Sequence, residues 1–240
     1  MSRTFKRHLS APRTEFRMSA LGLEARRLQA LGIEVEKFQC SDQQHGDPSW
    51  AHVSGWAQLS GTPRRLSCVL TYRDGAASLG HLLPVVSDTL TELGFPWELT
   101  IVDNASTDIP WRLLSEWTEL PGFNWMRLAK DYGDAATAWA GLCNARGDAA
   151  ILLDAADDAP LDRLSELVDR WEQGDEIVVL EHEGADGCAS VVSWPQDDDE
   201  FEPSLSTCPS AFSYRLILLD RRAIDSLMES RLGSVAMTVK

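Results

Sequence analysis

The chain has 240 residues, 44% of them apolar, and a formal net charge of -15. That length suits one large domain with an appendage, and no run of about 18 apolar residues exists to cross a bilayer as a helix. The acidic balance argues against a nucleic-acid surface, which needs a basic face, and against docking of the domain body on anionic lipid.

Residues 1–65 read as an extension distinct from the rest of the chain. Arg3, Lys6, Arg7, Arg13 and Arg17 make its start basic, and no apolar core of a secretory signal is present. An Arg- and Ser-rich start also suits an organelle transit peptide. Residues 20–38 are expected to form an amphipathic helix with Leu21, Leu28, Leu31 and Val35 on one side. Residues 41–65, rich in Ser, Gly, Pro, Gln and His, read as a linker.

A strand–helix alternation begins at Leu66. Leu66–Thr71 reads as a strand, 77–93 as an amphipathic helix, Trp97–Val102 as a strand and 111–120 as a short helix. Asn124–Leu128 reads as a strand, Ala135–Ala145 as a helix of small residues, and Ala149–Leu153 as a strand apolar enough to be covered on both faces. Leu161–Gln173 reads as a helix and Ile177–Leu180 as a strand; Leu216–Leu219 and Arg222–Arg231 suit a last strand and helix. The order implies an α/β domain over 66–232, with a mostly parallel sheet covered by helices on both faces. Five cysteines (Cys40, Cys68, Cys143, Cys188 and Cys208) form no C-x-x-C pair. Reduced thiols in a cytoplasmic protein are expected.

Four blocks could carry chemistry. They are Ser67-Cys68-Val69-Leu70-Thr71-Tyr72-Arg73-Asp74, Ile101-Val102-Asp103-Asn104-Ala105-Ser106-Thr107-Asp108, Leu128-Ala129-Lys130-Asp131-Tyr132-Gly133 with Ala140-Gly141-Leu142 beyond it, and Gly147-Asp148-Ala149-Ala150-Ile151-Leu152-Leu153-Asp154. Acids that end strands of such a sheet stand where its ligands bind. Asp103 is placed to accept hydrogen bonds from a ribose hydroxyl or a base N–H. Asn104 can donate and accept. The same Asp-Asn-Ala-Ser stretch also suits a plain turn and helix cap.

In this order the blocks resemble the family 2 glycosyltransferases of the GT-A (Rossmann-like) fold, most closely the branch of the dolichyl-phosphate mannosyltransferases. The resemblance implies a UDP- or GDP-linked sugar donor contacted by Thr71, Tyr72, Asp74, Asp103, Asn104, Ser106, Asp131 and Gly133. It also implies Mg²⁺ or Mn²⁺ on an Asp-x-Asp motif, offsetting charge on the departing diphosphate. Asp154 is the first acid of that motif, Ala156 stands where the second belongs, and Asp157 and Asp158 are the remaining candidate ligands.

Two further departures are visible. No Lys or Arg occurs between Arg170 and Arg215, and Glu181-His182-Glu183 stands where relatives hold an acceptor phosphate with basic residues. A phosphate facing that stretch is repelled. No catalytic base stands out, with Glu181, Glu183 and Asp186 as candidates. Two functions are compatible with these residues: a soluble, metal-assisted, inverting hexosyltransferase, or a catalytically inactive relative that binds nucleotide or regulates. A partner protein can supply the acceptor site. Of the nine tryptophans, Trp97, Trp111, Trp117, Trp125, Trp139 and Trp171 are expected in the core, and Trp194 can stack on a sugar.

Overall fold

The computed structural model describes residues 27–40, 64–155, 160–182, 189–195 and 216–238. A helical turn at 27–30 leads into β1 (Val35–Cys40). There follow β2 (Leu66–Tyr72), α1 (Ala76–Glu92), β3 (Trp97–Asp103), α2 (Trp111–Trp117), β4 (Phe123–Leu128), α3 (Asp134–Asn144) and β5 (Ala149–Asp154). After a single 3₁₀ turn come α4 (Leu164–Glu172), β6 (Asp175–His182), β7 (Ala189–Pro195), β8 (Leu216–Asp220) and α5 (Arg221–Thr238).

The eight strands form one sheet in the order β1-β4-β3-β2-β5-β8-β6-β7. Its centre, β4-β3-β2-β5, is all parallel, and β1, β8 and β7 run against their neighbours. The expected α/β sheet with helices on both faces is therefore present, with antiparallel flanks. Alternation along each strand divides the core. Cys68, Leu70 and Tyr72 pack with Leu79, Leu83, Val86 and Leu90 of α1 and with α4. Val69 and Val102 pack on the other face with Trp139 and Leu142 of α3 and with Ile224 of α5. Trp97, Trp125, Trp139 and Trp171 are buried, as expected. Cys68 and Cys143 are buried and in no disulfide, and burial pushes the Cys68 thiol up to about 12.

Four readings are corrected by the structure. The helix expected over 20–38 does not reach its end. Gly32, at φ 70°, closes the turn with Ile33 N–H donating to Leu28 O at 3.0 Å. Glycine takes this left-handed conformation at helix ends with little cost. The chain then turns into β1, which pairs antiparallel with β4. Residues 27–40, expected in an extension outside the sheet, supply one of its edges. Strand β7 was not expected at all, and α5 runs on to Thr238.

The amino-terminal edge of the sheet is closed by a buried polar cluster. Glu98, wholly buried, accepts hydrogen bonds from Ser67 Oγ (2.7 Å) and Arg146 N–H (2.8 Å) and pairs with the Arg146 guanidinium (3.1 Å). Ser67 Oγ also accepts from Gly147 N–H at 2.7 Å. The α3–β5 turn is thereby fixed against the start of β2.

Helix α3 lies close on the sheet because position 141 has no side chain. A Cβ there would meet Val69 Cγ1 at 2.1 Å and Val102 Cγ2 at 3.1 Å. Gly141→Ala is expected to destabilise the fold by about 1–3 kcal/mol, the usual range for overpacking a core. Urea denaturation checks this, and an unchanged midpoint would contradict the close packing.

Candidate functional site

Register brings the expected residues to one edge. Tyr72 lies opposite Asp103, and Thr71 lies opposite Asp154. Strand β2 is followed in the chain by β3 on one side, whereas β5 returns on the other. Thr71 and Asp154 therefore flank the point where strand order reverses, the position at which open α/β sheets bind ligands.

Much of the Asp103–Asp108 block laces loops together. Asp103 has no solvent exposure. One of its oxygens accepts Ser106 N–H at 2.8 Å, and the other meets Arg127 Nη1 at 2.5 Å. The same guanidinium donates to Ser106 O at 3.1 Å and to Glu36 Oε2 at 2.7 Å. Ser106 Oγ accepts Asp74 N–H at 3.1 Å. Asp74 Oδ1 accepts from Thr107 N–H (2.7 Å) and Thr107 Oγ1 (2.9 Å), and Asp108 Oδ2 accepts Ala76 N–H at 3.0 Å, capping α1. Asp74 and Ala105 both hold positive φ, at 50° and 55°. For residues with a side chain this is a costly backbone, held by its surroundings. The turn-and-cap geometry weighed for this block is present, and it encloses Asp103, Asn104 and Ser106.

The third block joins the same network. Asn104 Nδ2 donates to Asp131 Oδ1 at 2.8 Å, while Asn104 Oδ1 accepts Tyr132 N–H at 3.1 Å. Asp131 also accepts Gly133 N–H at 2.8 Å and pairs with Arg73. Gly133, at φ 79°, precedes α3. Tyr72 is buried; burial first, and then the Asp103 carboxylate, raises its phenol above the ordinary range. Exposed or half-exposed at this edge are Thr71, Arg73, Asp74, Thr107, Asp131, Gly133 and Asp154.

Asp157, Asp158, Glu183 and Asp186 lie outside the described residues, as do the side chains of Glu181 and Trp194. Asp154 is half-buried at the end of β5, where Ala155 N–H donates to Thr71 O at 2.9 Å. Among the described residues no three His, Cys, Asp or Glu side chains gather as a metal site, and none of their helices is long and apolar enough to cross a membrane. A surface cavity of about 590 Å³ is lined by Ile109, Pro110, Arg112, Leu113 and Glu116 and contains none of the edge residues.

Sequence reasoning did not single out Arg127 or Glu36, and named Arg73 and Tyr132 only as members of their blocks. Arg127 had a signal: it is the only charge in the strand Phe123-Asn124-Trp125-Met126-Arg127-Leu128. A charge in a buried strand needs a partner.

Residues 69–216 match glycosyl transferase family 2. The chain belongs to that family. Membership places it among the transferases. It is similar to undecaprenyl-phosphate 4-deoxy-4-formamido-L-arabinose transferases. The Pseudomonas aeruginosa (strain LESB58) protein is 34% identical over 115 residues, 47% of this chain and 34% of that one. The Klebsiella pneumoniae (strain 342) protein is 28% identical over 117 residues, 48% and 36% of the two chains. The match spans about a third of the length of these relatives. Among solved structures, a mannosyltransferase from Pyrobaculum calidifontis in complex with GDP-Man and Mn²⁺ is 16% identical, with a TM-score of 0.46 over 84% of this chain and 52% of that one.

These contacts generate two predictions. Arg127→Met leaves the Asp103 carboxylate buried with one N–H partner, and such losses cost about 3–5 kcal/mol. Equilibrium denaturation checks this; a loss well under 1 kcal/mol would contradict the buried pair. Asp131 is held below its ordinary 3.8 by Gly133 N–H first and then by the Asn104 amide. Asp74 is held below the same value by Thr107 N–H and then the Thr107 hydroxyl. A depressed carboxyl contributes stability that is full above its unfolded value and lost as pH falls through its folded value. Both loops are therefore expected to stay tied at pH 3.8 and to loosen only in stronger acid. Carboxyl titration by NMR checks this, and ordinary midpoints would overturn it.

Proposed function

We propose that the chain transfers a sugar from a nucleoside-diphosphate donor, UDP- or GDP-linked, to an acceptor hydroxyl with inversion. The observation that carries this reading is Thr71 paired across from Asp154 at the reversal of strand order. Family membership over 69–216 supports it. In this reading the nucleoside lies over the loops that Asp103 and Asn104 hold. Asp103 acts by fixing the Ser106 turn, while Thr71, Asp74, Asp131 and Gly133 build the surface that receives the donor, set on buried Tyr72 and Ser106. Arg73, exposed beside Asp131, can exchange that carboxylate for a donor phosphate.

The described residues fit a Mg²⁺ or Mn²⁺ ion in part. Asp154, half-buried at the end of β5, is the one described acid of the motif and has the hard oxygen chemistry such cations require; Asp157 and Asp158 are the proposed remaining ligands. A bound ion would offset charge on the departing diphosphate. Residues of the chain would bind and orient the donor.

The undecaprenyl-phosphate of the relatives' names suggests a lipid phosphate acceptor. The cation-free sequence between Arg170 and Arg215 opposes that, so the acceptor proposed is an uncharged hydroxyl, or one presented by a partner protein. A cytoplasmic location is proposed on the reduced thiols. A second reading, a nucleotide-binding relative without transfer, is favoured by Ala156 in place of the second motif acid.

Calorimetric titration of UDP and GDP, with and without Mn²⁺, separates these readings. Binding at least tenfold tighter with metal is expected. Binding indifferent to metal selects the second reading, and no binding of either nucleotide sinks the donor site.

A further inference from the structure

Both loops of the donor edge are tied to one short span that precedes the family-matched residues. Glu34 O accepts Ala129 N–H at 2.9 Å, and Glu34 N–H donates to Tyr132 Oη at 3.0 Å. Two residues on, Glu36 Oε2 accepts Arg127 Nε at 2.7 Å. The other side of that guanidinium holds Asp103 and Ser106 O. The span thus reaches the β3–α2 loop through Arg127 and the β4–α3 loop through Ala129 and Tyr132. Asn104 joins the two loops to each other.

We propose that residues 34–36 are a brace that sets the position of both donor-edge loops, with Glu36 and Tyr132 as its positioning side chains. The brace rests on the donor-site reading of that edge. Three features separate a brace from general support. The whole span lies before residue 69, where the family match starts. Glu36 is 57% exposed, and an ion pair with so exposed a partner adds little to global stability. What Glu36 supplies is direction: it occupies Arg127 Nε, which leaves Nη1 and Nη2 for the loop. The Tyr132 hydroxyl likewise reaches only the backbone of Glu34 in the described contacts, so its removal frees one end of a loop and leaves the core intact.

The test uses the full chain. Glu36→Ala and Tyr132→Phe each remove one tie, and Glu36→Gln keeps an acceptor oxygen for Arg127. Amide hydrogen exchange is read at Ser106, Thr107, Tyr132 and Gly133, against Leu70, Ile101 and Ile151 in the central strands. The loop amides of Glu36→Ala and Tyr132→Phe are expected to exchange about three- to tenfold faster, the scale of one lost hydrogen bond. The core amides should not change, and Glu36→Gln should restore most of the loss. UDP and GDP affinity should fall by a similar factor and recover in Glu36→Gln. Loop exchange equal to wild type, or equal acceleration of core and loops, overturns the brace. If the wild-type chain binds neither nucleotide, the donor-site reading fails, and the exchange pattern alone decides the brace.

Discussion

An ionised carboxylate without solvent contact must be balanced from inside the protein, and Asp103 is balanced by Arg127. The arrangement at the carboxyl edge of the sheet depends on this pair. Arg127 comes from the neighbouring strand, so the pair locks the ends of β3 and β4 in register. Its remaining donors reach Ser106 O and Glu36. Strand β3 repeats the device at its other end, where wholly buried Glu98 meets Arg146. A single central strand thus carries a compensated buried charge at both ends, and each fixes a turn of the chain.

Such pairs are poor stabilisers compared with apolar packing, but removing one partner is costly. Their value here is definition of shape. Ser106, Thr107 and Asp108 hold the first turn after β2 through Asp74 N–H, Asp74 Oδ1 and Ala76 N–H. The edge is therefore a surface of loops held by each other, with exposed groups set on enclosed ones.

The central architecture was legible in the sequence because its signal is local. Strands covered on both faces read as apolar runs, and α1 shows its buried stripe at Leu79, Leu83, Val86 and Leu90. The first edge strand was not legible. Leu28, Leu31 and Val35 share helical spacing, yet Gly32 ends the turn between them, and only pairing with β4 decides that β1 is a strand. The site was legible as a place more than as a set of roles. Register brings Thr71, Asp103 and Asp154 to one edge, as expected. That Asp103 faces an arginine follows from Arg127 two dozen positions later, a long-range pairing that no local motif encodes.

The place of β1 also has a consequence for how the molecule assembles. Its Glu36 and the Arg127 it meets are 91 positions apart. Closing so long a loop costs only modest entropy, because the cost grows with the logarithm of length, but contacts of this range form slowly. Strand β1 is therefore expected to seat after the local contacts of β2–β5. Until it arrives, β4 is an open sheet edge, able to pair with another chain. The carboxyl edge of the sheet is thus complete only once residues 35–40 cover β4.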